Sequence, residues 1–102
     1  MSTITIRAGK REDLPQVHQL ICELAAFENA SDAVQTTPEE LERDAWGDKP
    51  LFEYMVAERA PGEIVGMALY YKAYSTWKGP VLYLDDLVVT ESCRGMGLGK
   101  RL

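Results

Sequence analysis

Apolar positions recur along this chain with two different spacings. Between Thr3 and Arg7, Ile4 and Ile6 alternate with polar neighbours, the period of a short half-buried strand. From Leu14 the spacing lengthens. Leu14, Val17, Ile21 and Leu24, flanked by Leu20 and Phe27, form a stripe that predicts a core-facing helix running to about Glu28. Asp13 followed by Gln16 resembles a capping box, and Pro15 suits an opening turn where its missing N–H costs little. Asn29 to Gln35 reads as a polar loop of the kind that borders sites. Thr37-Pro38-Glu39-Glu40 then opens a second, short and acidic helix, with Thr37 as N-cap, Pro38 at N1 and Glu40 at N3, and Gly47 supplies the stop.

The alternating period returns at Leu51 to Arg59, with Phe52, Tyr54 and Val56 on one face and Leu51, Met55 and Ala57 on the other. Ala60-Pro61-Gly62-Glu63 is a turn and Ile64 to Lys72 resumes as a strand, so the two are expected to pair as an antiparallel hairpin. Gly66 inside the second strand implies a bulge or a close backbone approach. Ala73 to Pro80, with Tyr74, Trp77 and Lys78, is expected to be a loop. Val81 to Thr90 carries apolar residues on both faces, as a strand covered on both sides does. The order is β-α-α-β-β-β with a helix just begun, an α/β (α+β) chain with a mostly antiparallel sheet. With no repeat and no linker, residues 1–102 read as one domain.

The last stretch, Leu82 to Leu102, holds the most informative motif. After the apolar run, Thr90-Glu91-Ser92 leads into Arg94-Gly95-Met96-Gly97-Leu98-Gly99-Lys100. Alternating glycines let successive backbone N–H groups point into one concavity, and the opening turn of a helix adds unpaired N–H groups and a positive dipole end. The combination is a phosphate cradle. Spacing separates the candidates. The dinucleotide fingerprint needs glycine where Lys100 stands and an acidic residue about 20 positions later. The P-loop needs four residues between its glycines, whereas three lie between Gly95 and Gly99. What remains is Arg-x-x-Gly-x-Gly on Arg94, Gly97 and Gly99, or else a plain glycine-rich turn.

On these residues the chain resembles the GNAT superfamily of acetyl-CoA-dependent N-acetyltransferases. Ile21-Cys22-Glu23-Leu24-Ala25-Ala26-Phe27-Glu28, Ala68-Leu69-Tyr70-Tyr71, Tyr74-Ser75-Thr76-Trp77-Lys78-Gly79 and Leu82-Tyr83-Leu84-Asp85-Asp86-Leu87 are similar to its diamine branch, the spermidine/spermine and thialysine enzymes. The resemblance implies the N-terminal part of the GNAT fold. It implies acetyl-CoA as cosubstrate, with Leu87, Val88 and Val89 presenting backbone to the pantetheine arm and the pyrophosphate over Gly95, Met96, Gly97, Leu98, Gly99 and Lys100, next to Arg94. It also implies that Phe27 and Glu28 help bind the amine, and that Asp85 stands where the branch commonly has Glu. A homodimer is implied as well. The family's leaving-group tyrosine belongs beyond the glycine loop and has no match among Tyr70, Tyr71, Tyr74 and Tyr83, so no catalytic residue is assigned. The 102 residues alone are expected to lack turnover. Two other readings stay open: a non-catalytic acetyl-CoA-binding module, and a fragment that only dimerises.

Composition narrows the field. At 102 residues, 46% hydrophobic and 26% charged, the chain is that of a globular unit. The net charge of −5 argues against nucleic-acid binding. No apolar run approaches the roughly 20 residues that span a bilayer, and no secretory pattern opens the chain. Cys22 and Cys93 read as free thiols of a cytoplasmic protein, neither beside a plausible histidine base, and His18 as a surface or half-buried helix residue without metal-ligand spacing. No metal is expected. Ile21 to Glu53 holds nine acidic residues against two basic ones, which is either a solvated face or a surface that gathers a cationic substrate.

The amine reading makes a chemical demand. A primary amine with a pKa of about 10.4 is neutral in only about one molecule in a thousand at pH 7, and only the neutral form attacks a thioester. The site needs a carboxylate to hold the ammonium and another group to accept its proton. As strand neighbours, Asp85 and Asp86 are expected to point to opposite faces, one toward substrate and one toward backbone N–H groups. Strand alternation leaves the choice even, and the resemblance selects Asp85.

Overall fold

The computed structural model describes residues 4–90 and Cys93. The elements are β1 (Thr5–Ala8), α1 (Leu14–Phe27), α2 (Pro38–Trp46), β2 (Glu53–Ala60), β3 (Glu63–Ser75) and β4 (Gly79–Val89), with short 3-10 turns at Arg11–Asp13 and Ser31–Ala33. The strands form one antiparallel sheet in the order β1-β2-β3-β4.

The helical stripe packs as its spacing requires. Leu14, Val17 and Leu20 of α1, with Leu41 and Ala45 of α2, close over Tyr54, Val56, Met67, Leu69 and Val88 on one face of the sheet. Val17, Val56 and Met67 are fully buried, and each such side chain contributes about 1.5–3 kcal/mol. A smaller cluster of Ile4, Ala57, Val65 and Cys93 occupies the other face. Helix α2 starts as its sequence indicates, since the Thr37 hydroxyl accepts the Glu40 N–H at 3.2 Å. It ends at Gly47, whose backbone turns extended, and the position excludes a side chain because a Cβ there would lie 2.6 Å from the Arg43 carbonyl oxygen.

Two local readings are corrected. Asp13 and Gln16 do not make a capping box at α1. Asp13 is buried and takes a two-pronged bond from Arg7, 2.7 Å from Nη1 and 3.0 Å from Nη2, plus the Lys10 N–H at 2.8 Å. Gln16 instead clamps the β2–β3 turn, donating to the Gly62 carbonyl at 2.6 Å and accepting the Ile64 N–H at 2.8 Å. Burial decides this, because a carboxylate removed from water takes a cationic partner over a helix end.

The expected loop from Ala73 to Pro80 is mostly strand. Ladder pairs continue through Tyr74↔Pro80 to Ser75↔Gly79, leaving Thr76, Trp77 and Lys78 as the turn. Gly79 at φ +85 supplies the left-handed residue such a hairpin needs, and the Ser75 hydroxyl accepts the Trp77 and Lys78 N–H groups at 3.2 and 3.1 Å. Gly66 does adjoin a bulge: Ala57 pairs with Gly66 and Glu58 with Ile64, so Val65 is the extra residue.

Strand β4 is one of the two outer strands among the described residues, and Leu82, Tyr83, Leu84 and Leu87 along it are exposed. The apolar pattern that suits a covered strand therefore meets no cover within residues 4–90 and Cys93. Tyr83 finds partial shelter by stacking on Tyr71, with centroids 5.7 Å apart.

Candidate functional site

The end of α1 is fixed by its backbone. Asn29 adopts φ +57, its N–H donates to the Ala26 carbonyl at 3.1 Å, and the Ala30 N–H donates to the Ala25 carbonyl at 2.7 Å. These are the two bonds of a Schellman motif with asparagine in the left-handed position. The motif holds Phe27 and Glu28, both exposed, at the negative end of the helix dipole.

Strand β4 brings its acidic pair to the same region. Leu69 pairs with Asp86 and Tyr70 with Leu84, so Asp85 is an unpaired bulge residue. The bulge breaks the alternation, and opposite faces for Asp85 and Asp86 do not follow. Asp86 shares the helix-packed face with Val88 and is half-buried, while Asp85 is exposed. Burial pushes the Asp86 carboxyl above its ordinary range, and the negative charges of Asp85 and Glu28 push it further. Three carboxylates and a helix C-terminus therefore act in one place with one sign, and that place favours a cation.

The acidic stretch before Glu53 divides between its two readings. On α2, Glu42 pairs with Arg11 at 3.2 Å, and Asp44 and Glu40 with Arg43 at 3.0 and 3.9 Å, an ordinary solvated face. Glu23 turns inward and accepts the Thr90 hydroxyl. Glu28 joins Asp86.

Of the residues expected to meet acetyl-CoA, Val88 is buried against α1, Val89 is half-buried and Leu87 is exposed. Their strand has no neighbouring strand on its outer side among the described residues. The Thr90 N–H donates to the Val65 carbonyl at 2.8 Å and the Cys93 N–H to the Thr90 carbonyl at 2.9 Å, so the chain stays pinned to the sheet just before the glycine loop. Arg94, Gly95, Met96, Gly97, Leu98, Gly99 and Lys100 lie outside the described residues.

Sequence reasoning left Asp86 level with Asp85, and it missed Asn29 and the surroundings of one cysteine. Asn29 after an apolar stripe is a stop signal that could have been read, whereas the bulge leaves no mark in Leu84-Asp85-Asp86-Leu87. The cysteine is Cys22. Its sulfur lies 3.7 Å from His18 Nδ1, one helical turn away, so the expectation that neither thiol has a histidine base beside it is corrected. No group of metal-binding side chains occurs among the described residues, and no helix there is long and apolar enough to cross a membrane.

Known proteins share both the sequence and the fold. The chain is 42% identical over 108 residues to spermidine/spermine N(1)-acetyltransferase-like protein 1 of Homo sapiens, covering 100% of this chain and 16% of that protein. It is 41% identical over 109 residues to the thialysine N-epsilon-acetyltransferase of Bos taurus, covering 100% of this chain and 64% of that protein. The chain thus spans less than two thirds of the length of these relatives. Among solved structures, a Trypanosoma brucei acetyltransferase superposes with a TM-score of 0.74 at 28% identity, over 98% of this chain and 69% of that one. An aminoglycoside acetyltransferase from an uncultured soil metagenomic sample, crystallised with sisomicin, gives 0.73 at 26% identity, over 97% and 64%. The sequence profile of the Acetyltransferase (GNAT) family matches residues 16–102, and the chain belongs to that family.

Proposed function

We propose that this chain carries the amine-binding and the first acetyl-CoA-binding elements of an N-acetyltransferase. The acceptor is a primary amine of a diamine, a polyamine or a lysine-like small molecule. The observation that carries this reading is the convergence of Glu28 with Asp85 and Asp86 at the C-terminal end of α1, beside a strand that leads into Arg94-x-x-Gly97-x-Gly99. The names of the similar human and bovine proteins, a spermidine/spermine and a thialysine acetyltransferase, support the same substrate class.

In this reading Glu28 and Asp85 hold the ammonium group and Phe27 covers its alkyl arm. Asp86, whose half-buried carboxyl titrates above the ordinary range, accepts a proton as the amine becomes nucleophilic. The outer backbone edge of Leu87, Val88 and Val89 receives the pantetheine arm. The N–H groups of Gly95 to Lys100, with Arg94, receive the pyrophosphate. Acetyl-CoA supplies the thioester that the free amine attacks. The free thiols Cys22 and Cys93 suit a cytoplasmic enzyme, and the exposed outer strand suits a homodimer.

The test uses the protein containing this chain and its natural continuation. Asp85→Asn is expected to raise KM for a polyamine or thialysine-like substrate more than KM for acetyl-CoA. Gly97→Val is expected to weaken acetyl-CoA binding at least about tenfold by calorimetry, about 1.4 kcal/mol. Unchanged affinity in Gly97→Val would remove the cosubstrate assignment and with it the acetyl-CoA-binding module, leaving the reading of a fragment that only dimerises.

A further inference from the structure

His18 and Cys22 sit one turn apart on α1, where His18 reaches Thr36 at the end of the 29–37 loop. Both are half-buried. The ring of His18 is held at each nitrogen. Nε2 lies 2.6 Å from the Thr36 carbonyl oxygen and Nδ1 lies 3.7 Å from Cys22 Sγ. A carbonyl only accepts, so in the neutral ring Nε2 carries the hydrogen and Nδ1 presents its lone pair to the thiol. This is the arrangement of an activated nucleophile: thiol, base, and a third group that orients the base.

From this geometry we infer that Cys22 is a thiol–disulfide exchange site with His18 as its base, reacting with a low-molecular-weight disulfide. Nδ1 of His18 takes the thiol proton. The Cys22 sulfur attacks one sulfur of the disulfide and its S–S bond breaks. The leaving thiolate takes the proton back from the ring and departs as a thiol. One new S–S bond joins Cys22 to the reagent, so Cys22 is oxidised and the departing half of the reagent is reduced.

The second thiol is a built-in control. Cys93 is 1% exposed, with Arg59 Nη1 3.3 Å from its sulfur, and no histidine is beside it. The position of Cys22 gives the adduct a consequence. Thr36 adjoins the Thr37 cap of α2, and the 29–37 loop begins at the Asn29 turn that holds Glu28. A group attached to Cys22 enters between α1 and that loop and parts His18 from Thr36. The site uses none of the residues assigned to the amine or to acetyl-CoA, so it stands or falls apart from the acetyltransfer reading.

The experiment treats the folded chain with oxidised glutathione and follows the adduct by intact mass and peptide mapping. Wild type and Cys93→Ser are expected to gain one glutathionyl group on Cys22, and Cys22→Ser none. The folded wild type is expected to react faster than the same chain unfolded in urea, where both cysteines react alike. His18→Gln is expected to slow the reaction about tenfold or more. The comparison of folded with unfolded wild type needs no variant and so stands if His18→Gln fails to fold. An adduct on Cys93, or Cys22 reacting no faster in the folded chain than in the unfolded one, would overturn the assignment. A folded His18→Gln with the wild-type rate would overturn the role of His18.

Discussion

Thr90, just past the end of β4, donates its hydroxyl to the Glu23 carboxylate on α1, 3.1 Å from Oε2 and 3.4 Å from Oε1. The bond ties the helix that carries Glu28 to the strand that carries Asp85, and it does so where the chain leaves the sheet for the glycine loop. Thr90→Val keeps the side-chain shape and removes the donor. It is expected to cost about 1.5 kcal/mol, the scale for a hydrogen bond to a charged group, read as a lower urea midpoint at unchanged slope. Thr90→Ser is expected to keep most of that stability.

Asp13 makes stability depend on acid. Burial raises its carboxyl, but the Arg7 guanidinium and the Lys10 N–H overcome this and hold it below the ordinary range. A folded pKa below the unfolded value of about 3.9 gives stability that is present above that pH and lost as pH falls through the folded value. Asp13→Asn leaves the charge of Arg7 without its buried partner and is expected to cost about 3 kcal/mol at pH 7. Urea titrations are expected to show the gap to wild type narrowing below about pH 4.

Asp86 has the opposite sign. Its raised folded pKa means that its protonated form suits the fold, with the benefit complete below the unfolded pKa of about 3.9 and lost as pH rises through the folded value. At pH 7, Asp86→Asn is therefore expected to melt at a higher temperature than wild type, with the difference vanishing near about pH 3.5. Added spermidine is expected to lower the Asp86 titration midpoint seen by carboxyl NMR. A midpoint that does not move would place the ammonium elsewhere.

The left-handed residue that closes α1 gives a paired prediction. Asn29→Val places a β-branched residue at φ +57 and is expected to cost about 1–2 kcal/mol. Asn29→Gly is expected to be neutral or slightly stabilising. Because Asn29 fixes the turn after Glu28, the valine variant is also expected to weaken polyamine binding in the full-length protein.

The exposed row Leu82, Tyr83, Leu84 and Leu87 on the outer strand is a template for pairing with another chain. Light scattering is expected to find the 102-residue chain self-associated, most simply as a two-fold dimer. Lysine at Leu84, which interrupts the row, is expected to shift it toward monomer.

The elements that were legible in advance are those whose evidence is local. Thr37-Pro38-Glu39-Glu40 contains its own cap, and Leu14, Val17, Ile21 and Leu24 count out a helix without reference to anything distant. The capping box expected at Asp13 fails because the partners of Asp13 come from elsewhere. Arg7 on β1 and the Lys10 N–H claim it, and the residue that looked like its capping partner, Gln16, reaches the β2–β3 turn. The hairpin beyond Lys72 is hidden in the sequence because Thr76-Trp77-Lys78-Gly79-Pro80 holds the turn, and only pairing with β4 shows that Ala73, Tyr74 and Ser75 are strand. At the acidic pair, alternation is a sound rule for a regular strand, and only the register with β3 reveals the added residue at Asp85.

The order of the sheet, in which β2, β3 and β4 each lie beside their predecessor in the chain, has a consequence for how the molecule assembles. The β2–β3 and β3–β4 pairings need only tight turns closed, at Pro61–Gly62 and at Thr76–Lys78, while β1 meets β2 across both helices. Loop-closure entropy places the meander early and β1 late in the folding reaction. Shortening Ile6 to valine on β1 is therefore expected to speed unfolding and leave the folding rate nearly unchanged. Shortening Met67 or Leu69 on β3 is expected to slow folding itself.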